Sequence, residues 1–265
     1  MNNSSVQNEL SERWMRSGLA SGDVFLLHSD IRRLLTEFKR KKINLDTSII
    51  INSFLDVIGK NGTMLMPLFN FADFIENKFF SLQNSKSMMG ILTEKFRIDY
   101  KILRTKHPVY SFAVIGKDSN KFKKDNFSAY GKDSPFQVLK DLNGKIAILD
   151  LSEQKSMTFY HHIEELNNVE WRYHKIFEGI YEDFENKKSK KKYSIFVRDL
   201  NKGIITCVNP AGELLWSQGL YQGAKPNTGS GLRVVNTNQM FEFISKIIIK
   251  NEALGILYNR SNKKV

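Results

Sequence analysis

Cysteine is almost absent: Cys207 is the only one in 265 residues, so an intrachain disulfide framework is excluded. No apolar run approaches the roughly 20 residues that a membrane-spanning helix needs. The opening residues, Met1-Asn-Asn-Ser-Ser-Val-Gln-Asn-Glu, lack the charged-then-apolar order of a secretion signal. There is no internal repeat and no linker that would divide the chain. Carboxylates are in deficit, with 28 Asp and Glu against 40 Lys and Arg, a formal charge of +12. These features together predict one domain over residues 1–265, with 1–8 disordered, in a soluble cytoplasmic protein. A homodimer is left open.

The positive excess favours anionic partners such as nucleic acid, phosphorylated cofactors or acidic lipids. It is concentrated in two runs, Lys39-Arg-Lys-Lys42 and Lys187-Lys-Ser-Lys-Lys-Lys192. Like-charge blocks of this kind are commonly solvated, mobile loops. Neither run has the interleaved aromatics of a nucleic-acid stacking platform, and no nucleic-acid-binding module is recognisable, so nucleic acid is not expected as a partner.

What is present is a chain with 41% hydrophobic residues, enough for a sizeable core. Buried strands are expected at Val24–His28, Thr63–Phe69, Ser111–Ile115 and Lys145–Leu151, where apolar residues run continuously. Helices are expected at Glu9–Ser21, Leu45–Ile58, Met88–Ile98, Pro135–Leu142 and Thr237–Ile249, with Asn44 or Asp46 capping the second. Pro135 suits a first helical position. Glu170–Tyr181 and Lys192–Arg198 read as an antiparallel excursion with the lysine run at its hairpin tip. Gly219–Gly231 is glycine-rich and reads as a loop. The predicted class is α/β, a single α/β/α domain with a central mixed, largely antiparallel sheet and a β-hairpin around 170–200.

Two stretches carry chemistry. The first is Ser156-Met-Thr-Phe-Tyr-His-His-Ile-Glu-Glu165, helical by its start residues. In a helix His161, Glu164 and Glu165 share one face. A carboxylate one turn from an imidazole can hold its tautomer and raise its basicity, which makes a general base. The plainer alternative is a partly buried histidine beside a surface carboxylate. His162 points about 100° away from that face. The second is His28-Ser29-Asp30, where a strand turns into the helix that begins with Arg32 and Arg33. Such a corner presents free backbone N–H groups to an anion, or is simply an ordinary strand–helix junction. Asn70, in a loop expected to run along a cleft, and the aromatic stretch Phe127–Tyr130, which lines a pocket or the core, are further candidates. No residue group suggests a metal site. Cys207, in an apparent strand, reads as a core thiol.

Taken in order, these landmarks resemble the aminoglycoside 3-N-acetyltransferase family. The similarity runs from about Gly22 to Asn251. It rests on Gly22-Asp-Val-Phe-Leu-Leu-His-Ser29, Gly62-Thr-Met-Leu-Met-Pro67, Met89-Gly90, Arg104-Thr-Lys-His-Pro-Val-Tyr-Ser111, Gly131-Lys-Asp-Ser-Pro135 and Thr158-Phe-Tyr-His-His-Ile-Glu164. The resemblance implies acyl transfer from a coenzyme A thioester to an amino group on a sugar ring, with acyl-CoA as co-substrate. It implies that His161 and Glu164 form the proton-transfer pair. The corner at His28, Ser29, Asp30, Arg32 and Arg33 would hold the coenzyme. Asn70, His107, Ser111, Tyr130 and Ser134 would contact the acceptor, with the Ser111 hydroxyl a candidate oxyanion donor. One departure stands out. Members that modify aminoglycosides tend to carry an acidic residue a few positions before the threonine, whereas here the segment is Ser152-Glu-Gln-Lys-Ser-Met157. With the charge of +12, this favours a nucleotide-linked amino sugar (dTDP-type) as acceptor, of the kind used in surface polysaccharide assembly. The alternative is a conventional aminoglycoside 3-N-acetyltransferase conferring antibiotic resistance. Asp73, Asp133, Asp150 and Glu153 are the carboxylates that could make the cleft locally acidic.

Overall fold

Side chains alternate across every central strand, and this alternation sorts the core onto the two faces of one sheet. The computed structural model describes residues 3–156 and 158–261. In chain order the strands are β1 (Val24–Ser29), β2 (Thr63–Pro67), β3 (Phe79–Ser81), β4 (Leu103–Arg104), β5 (Phe112–Gly116) and β6 (Lys145–Leu149). They continue with β7 (Arg172–Glu182), β8 (Lys188–Arg198), β9 (Ile204–Thr206), β10 (Gln222–Gly223), β11 (Leu232–Asn236) and β12 (Tyr258–Arg260). The helices are α1 (Asn3–Arg16), α2 (Arg32–Arg40), α3 (Thr47–Ile58), α4 (Ala72–Ile75) and α5 (Ile91–Asp99). They are followed by α6 (Pro135–Asp141), α7 (Glu153–Ser156), α8 (Phe159–Leu166), α9 (Asn209–Ser217) and α10 (Thr237–Ile249).

Among the described residues the main sheet is seven-stranded, in the order β10-β11-β6-β1-β2-β5-β4. Its centre, β6-β1-β2, is parallel, with Leu26 opposite both Leu65 and Ile146. Both flanks are antiparallel. This is the mixed, largely antiparallel sheet that the sequence predicted. Leu26, Leu65, Val114 and Ile146 face a layer containing Phe136 of α6, Ile163 of α8 and Ile244 of α10. Phe25, Leu27, Met64 and Ala147 face Trp14 of α1, Leu34 of α2, Phe54 of α3 and Phe96 of α5. The result is a three-layer α/β/α arrangement. Trp14 stacks on Phe54 with ring centres 4.6 Å apart, and its indole N–H donates to Ser53 Oγ at 2.8 Å.

Local chemistry fixes several boundaries as expected. The Asp46 side chain accepts from Ser48 N at 2.7 Å and starts α3. Asn236 accepts from Asn238 N and Gln239 N and starts α10. Among the described residues no helix is long and apolar enough to cross a membrane.

Four expectations change. Residues 3–8 are the first turns of α1, not disordered, because Val6 and Leu10 are buried in the core beside α3; residues 1 and 2 lie outside the described residues. The histidine stretch is two helices, α7 and α8, so Thr158 and not Ser156 precedes the catalytic candidate's helix; Met157 lies outside the described residues. Of the lysine run only Lys187 lies in the hairpin tip, a turn held by the Asp183 side chain. Lys188–Lys192 form the start of β8, registered against β7 so that Lys190 and Lys192 both meet Glu178. Cys207 is half-buried and sits just past β9.

Candidate active site

Ligands of α/β sheets bind beyond the carboxyl ends of the parallel strands, and the site candidates gather there. β1 ends at Ser29 beside Leu149, the end of β6. From β1 the chain turns through Asp30 into α2; from β6 it turns through Asp150 into α7 and α8. Asp150 adopts a left-handed φ of 51°. Its carboxylate accepts from Arg33 Nε at 2.8 Å and from Asn227 N at 2.9 Å, and its N–H donates to Gly231 O. A Cβ at Gly231, itself at φ +72°, would lie 2.3 Å from Asp150 Oδ1. Only glycine lets the loop before β11 lock this corner.

His161 and Glu164 are brought together. His161 Nδ1 lies 2.9 Å from Glu164 Oε2, one helical turn away. Glu164 is almost fully buried. Its Oε1 accepts from the Trp171 indole at 2.8 Å, and its Oε2 lies 2.7 Å from Arg172 Nε in an ion pair. Burial acts to raise the Glu164 pKa, but Arg172, His161 and Trp171 outweigh it and hold the carboxyl below its ordinary value. Burial, aided by the Arg172 charge, pulls the His161 pKa below 6.5 against the opposing pull of Glu164. The imidazole is therefore neutral at neutral pH, with Nδ1 donating to the carboxylate and Nε2 carrying the lone pair. Glu165, expected on the same face, instead accepts from Ser128 Oγ. His162 is a core histidine packed among Phe136, Phe159 and Phe241, with its pKa lowered by burial to about 4.

Trp171 and Arg172 were not among the candidates. A buried carboxylate requires a partner, and Arg172 is the first cation after Glu164 in the chain, which is the signal that could have found it.

His161 stands between two cavities. One, of about 360 Å³, is lined by Tyr110, Tyr130, Arg172, Tyr173, Lys175, Phe177 and Arg198 among others. The second, of about 240 Å³, is lined by Gln154, Lys155, Ser156, Thr158, Arg198 and Thr206 with His161. Lys155 also borders a groove of about 540 Å³ that holds His28, Ser29, Asp30, Arg32 and the apolar edge Met88–Leu92. Lys155 is thus shared between the groove at the His28–Arg32 corner and the cavity beside His161. Asp30 and Arg32 additionally border a wider groove of about 970 Å³ on the α1–α2 side, where Arg33 lies. An apolar channel ending in Arg32 and Lys155 suits the pantetheine arm and phosphates of coenzyme A. His28 is buried, its pKa lowered by burial and by Arg233 to about 3, and its Nε2 has no partner among the described residues.

Tyr130 lines the cavity of about 360 Å³, its ring 5.3 Å from that of His161. Four other acceptor candidates are buried and do not line either cavity beside His161. The Asn70 amide donates to Lys86 O and its carbonyl accepts from Asp73 N. His107 accepts from Tyr110 N and contacts Ser194 O, its pKa lowered by burial to about 4. The Ser111 hydroxyl donates to Leu68 O and accepts from Arg104 Nε. Ser134 sits buried at the start of α6. Asn70, His107 and Ser111 are engaged by their own surroundings, whereas the Ser134 Oγ is buried without a partner among the described residues. Thr158 was missed: its Oγ1 is buried without a partner among the described residues and lines the cavity of about 240 Å³ with His161.

Among the described residues no carboxylate lines either cavity beside His161. Asp73 bonds Ser85, and Asp133 pairs with Lys124. Asp150 is held by Arg33, on the far side of the corner. Glu153 is buried, accepting from Tyr160 and Tyr221 hydroxyls at 2.7 Å and from Arg233 at 2.9 Å.

A histidine held by a buried carboxylate and open to two cavities is suited to general acid–base chemistry. The family model for aminoglycoside 3-N-acetyltransferase matches residues 26–248, and the chain belongs to that family. Among solved structures, AAC-IIIb in its binary complex with CoASH is 19% identical, covering 92% of this chain and 96% of its own, with a TM-score of 0.75. The YokD protein of Bacillus subtilis is 18% identical over 93% of this chain and 94% of its own, with a TM-score of 0.75. AAC-VIa bound to sisomicin is 16% identical over 92% of this chain and 98% of its own, with a TM-score of 0.73. At these identities the likeness to the three structures is one of fold. No curated protein matches the chain in sequence.

Proposed function

We propose that this enzyme transfers an acyl group from acyl-CoA to the amino group of a nucleotide-linked amino sugar, of the kind used in surface polysaccharide assembly. The observation that carries the acceptor is the lining of the two cavities at His161: Lys155, Arg172, Lys175 and Arg198, with no carboxylate among the described residues. An aminoglycoside carries several positive charges and would meet the unpaired cations Lys155, Lys175 and Arg198 there, with no lining carboxylate among the described residues to offset them. A nucleoside diphosphate would meet charges of opposite sign.

The chemistry follows from His161. The neutral form of a sugar amine attacks the thioester carbon with its lone pair, and its nitrogen must shed one proton on becoming an amide. His161 Nε2 accepts that proton as the nitrogen–carbon bond forms, while Glu164 stabilises the resulting imidazolium. Such assistance is typically worth 10²–10⁴-fold. The Thr158 hydroxyl, unpartnered and beside His161, is the donor best placed for the developing oxyanion, in place of Ser111. When the carbon–sulfur bond breaks, the proton on His161 passes to the leaving thiolate. No covalent enzyme intermediate is involved.

A second reading, an aminoglycoside acceptor, is favoured by the family's description and by the sisomicin-bound relative. Competition separates the two. With the nucleotide-linked acceptor, a free nucleoside diphosphate inhibits competitively against it, and kcat/KM falls steadily with added salt as the Debye length shrinks from about 10 Å at 0.1 M to about 3 Å at 1 M. Absence of both effects overturns the proposal.

A further inference from the structure

Not all the cations on the β7–β8 hairpin are alike. Lys188 faces Glu182, Lys190 and Lys192 face Glu178, and Lys191 faces Asp125. At the other end of the same hairpin, Arg172 is committed to Glu164. Lys175 and Arg198 are exposed, line the cavity of about 360 Å³ with His161, and form no ion pair among the described residues. Two cations left uncompensated in one cavity, on a hairpin where Lys188, Lys190, Lys191, Lys192 and Arg172 each have a carboxylate partner, are arranged for an anion that the protein does not itself contain. Tyr173, which lines the same cavity and is 46% exposed, offers an aromatic face.

We propose that Lys175 and Arg198 form a diphosphate clamp and Tyr173 a base-stacking platform, which together make the β7–β8 hairpin the element that selects a nucleoside-diphosphate amino sugar. This rests on the acceptor reading given above. The planar guanidinium of Arg198 matches two phosphate oxygens and Lys175 supplies a mobile point charge. An aromatic ring stacks on any base with little sequence preference, so the clamp fixes the diphosphate while the pocket around His161 reads the sugar. A cavity of about 360 Å³ falls within the range of small-ligand sites, roughly 300–1,000 Å³. The unneutralised charge of Arg198 is also one of those that lower the His161 pKa. A bound diphosphate would cancel it and strengthen the base as the acceptor arrives.

The test is calorimetric titration of UDP, dTDP and inorganic pyrophosphate into the protein saturated with CoASH, so that the coenzyme groove is filled. The variants are Lys175→Ala, Arg198→Ala, the double variant and Tyr173→Ala, all at exposed positions. Each cation removed is expected to raise the Kd of all three probes about tenfold, and the double variant about 100-fold. Tyr173→Ala should weaken UDP and dTDP but leave pyrophosphate unchanged. Affinity for CoASH should stay the same throughout. If the wild-type protein binds UDP or dTDP and the double variant binds them equally well, the clamp is refuted while the acceptor class stands. If the wild-type protein binds no nucleoside diphosphate but does bind kanamycin, the acceptor class itself fails.

Discussion

Replacing Arg172 with methionine removes the charge that sits 2.7 Å from Glu164 Oε2 and leaves a buried carboxylate with only His161 and Trp171 as partners. Breaking a buried ion pair from one side typically costs about 3–5 kcal/mol. For a chain of this size that is a fall in Tm on the order of 10 °C. The catalytic signature is more particular. Arg172 and Glu164 pull the His161 pKa in opposite directions, Arg172 downward. Both His161 and Arg172 reach the same carboxylate oxygen, so their charges lie within about 6 Å, and at an effective dielectric constant of about 20 the repulsion removed is roughly 2–3 kcal/mol. Allowing for relaxation and solvent, the His161 pKa should rise by about one to two units, at about 1.4 kcal/mol per unit. Histidine must be neutral to act as base, so the acid limb of kcat/KM against pH should move to higher pH by the same amount. Thiol release followed over pH, with one acyl-CoA and one acceptor, measures this directly. Arg172→Lys, which retains the charge, should leave the limb near its original position. An acid limb that stays put or moves to lower pH in folded Arg172→Met would refute the electrostatic account of the pair.

Two further outcomes follow from the same geometry. His161→Ala should lower kcat by about 10²-fold or more with coenzyme A binding intact, and Glu164→Gln should lower it less, since it removes orientation and charge support and not the base; near-normal turnover in His161→Ala would contradict the assignment. Stability should also fall in acid. His28, His107 and His162 are buried with pKa values pulled by desolvation to about 3, 4 and 4, below the unfolded value near 6.5. Below pH 6.5 the unfolded chain takes up protons that the native protein refuses, so stability is lost as pH drops toward 4. At pH 5 unfolding should take up about three protons, a slope of about 4 kcal/mol per pH unit. Denaturant melts showing unchanged stability from pH 7 to pH 5 would show that these histidines titrate normally.

The elements that the sequence placed well are those whose ends are written locally. α10 runs from Thr237 to Ile249 as expected, and α3 starts on Asp46, because cap and apolar period sit in the same stretch of chain. The His161–Glu164 pair was legible for the same reason, being one helical turn long. What failed depended on partners far along the chain. Lys187–Lys192 reads as a loop until Glu178 and Asp125 are brought alongside. His107 and Ser111 were assigned to the cleft by their place in a resembling pattern, yet their polar atoms are taken by Tyr110, Leu68 and Arg104. Glu153, the acidic residue in the segment before α8, could not be read as buried without Tyr160, Tyr221 and Arg233 around it. Arg172 follows Glu164 as the next cation in the chain, but its pairing with that carboxylate shows only in the folded protein.

The measurement that bears most directly on the central claim is thiol release from acetyl-CoA and longer acyl-CoAs, run side by side against a panel of nucleotide-linked amino sugars and of aminoglycosides at low salt. A basic cavity on the acceptor side of His161 predicts that at least one nucleotide-linked amino sugar has the highest kcat/KM, that its turnover is lost in His161→Ala, and that kanamycin-type amines are poor acceptors. Rapid release with aminoglycosides and none with any nucleotide sugar would contradict the account and leave the aminoglycoside reading in its place.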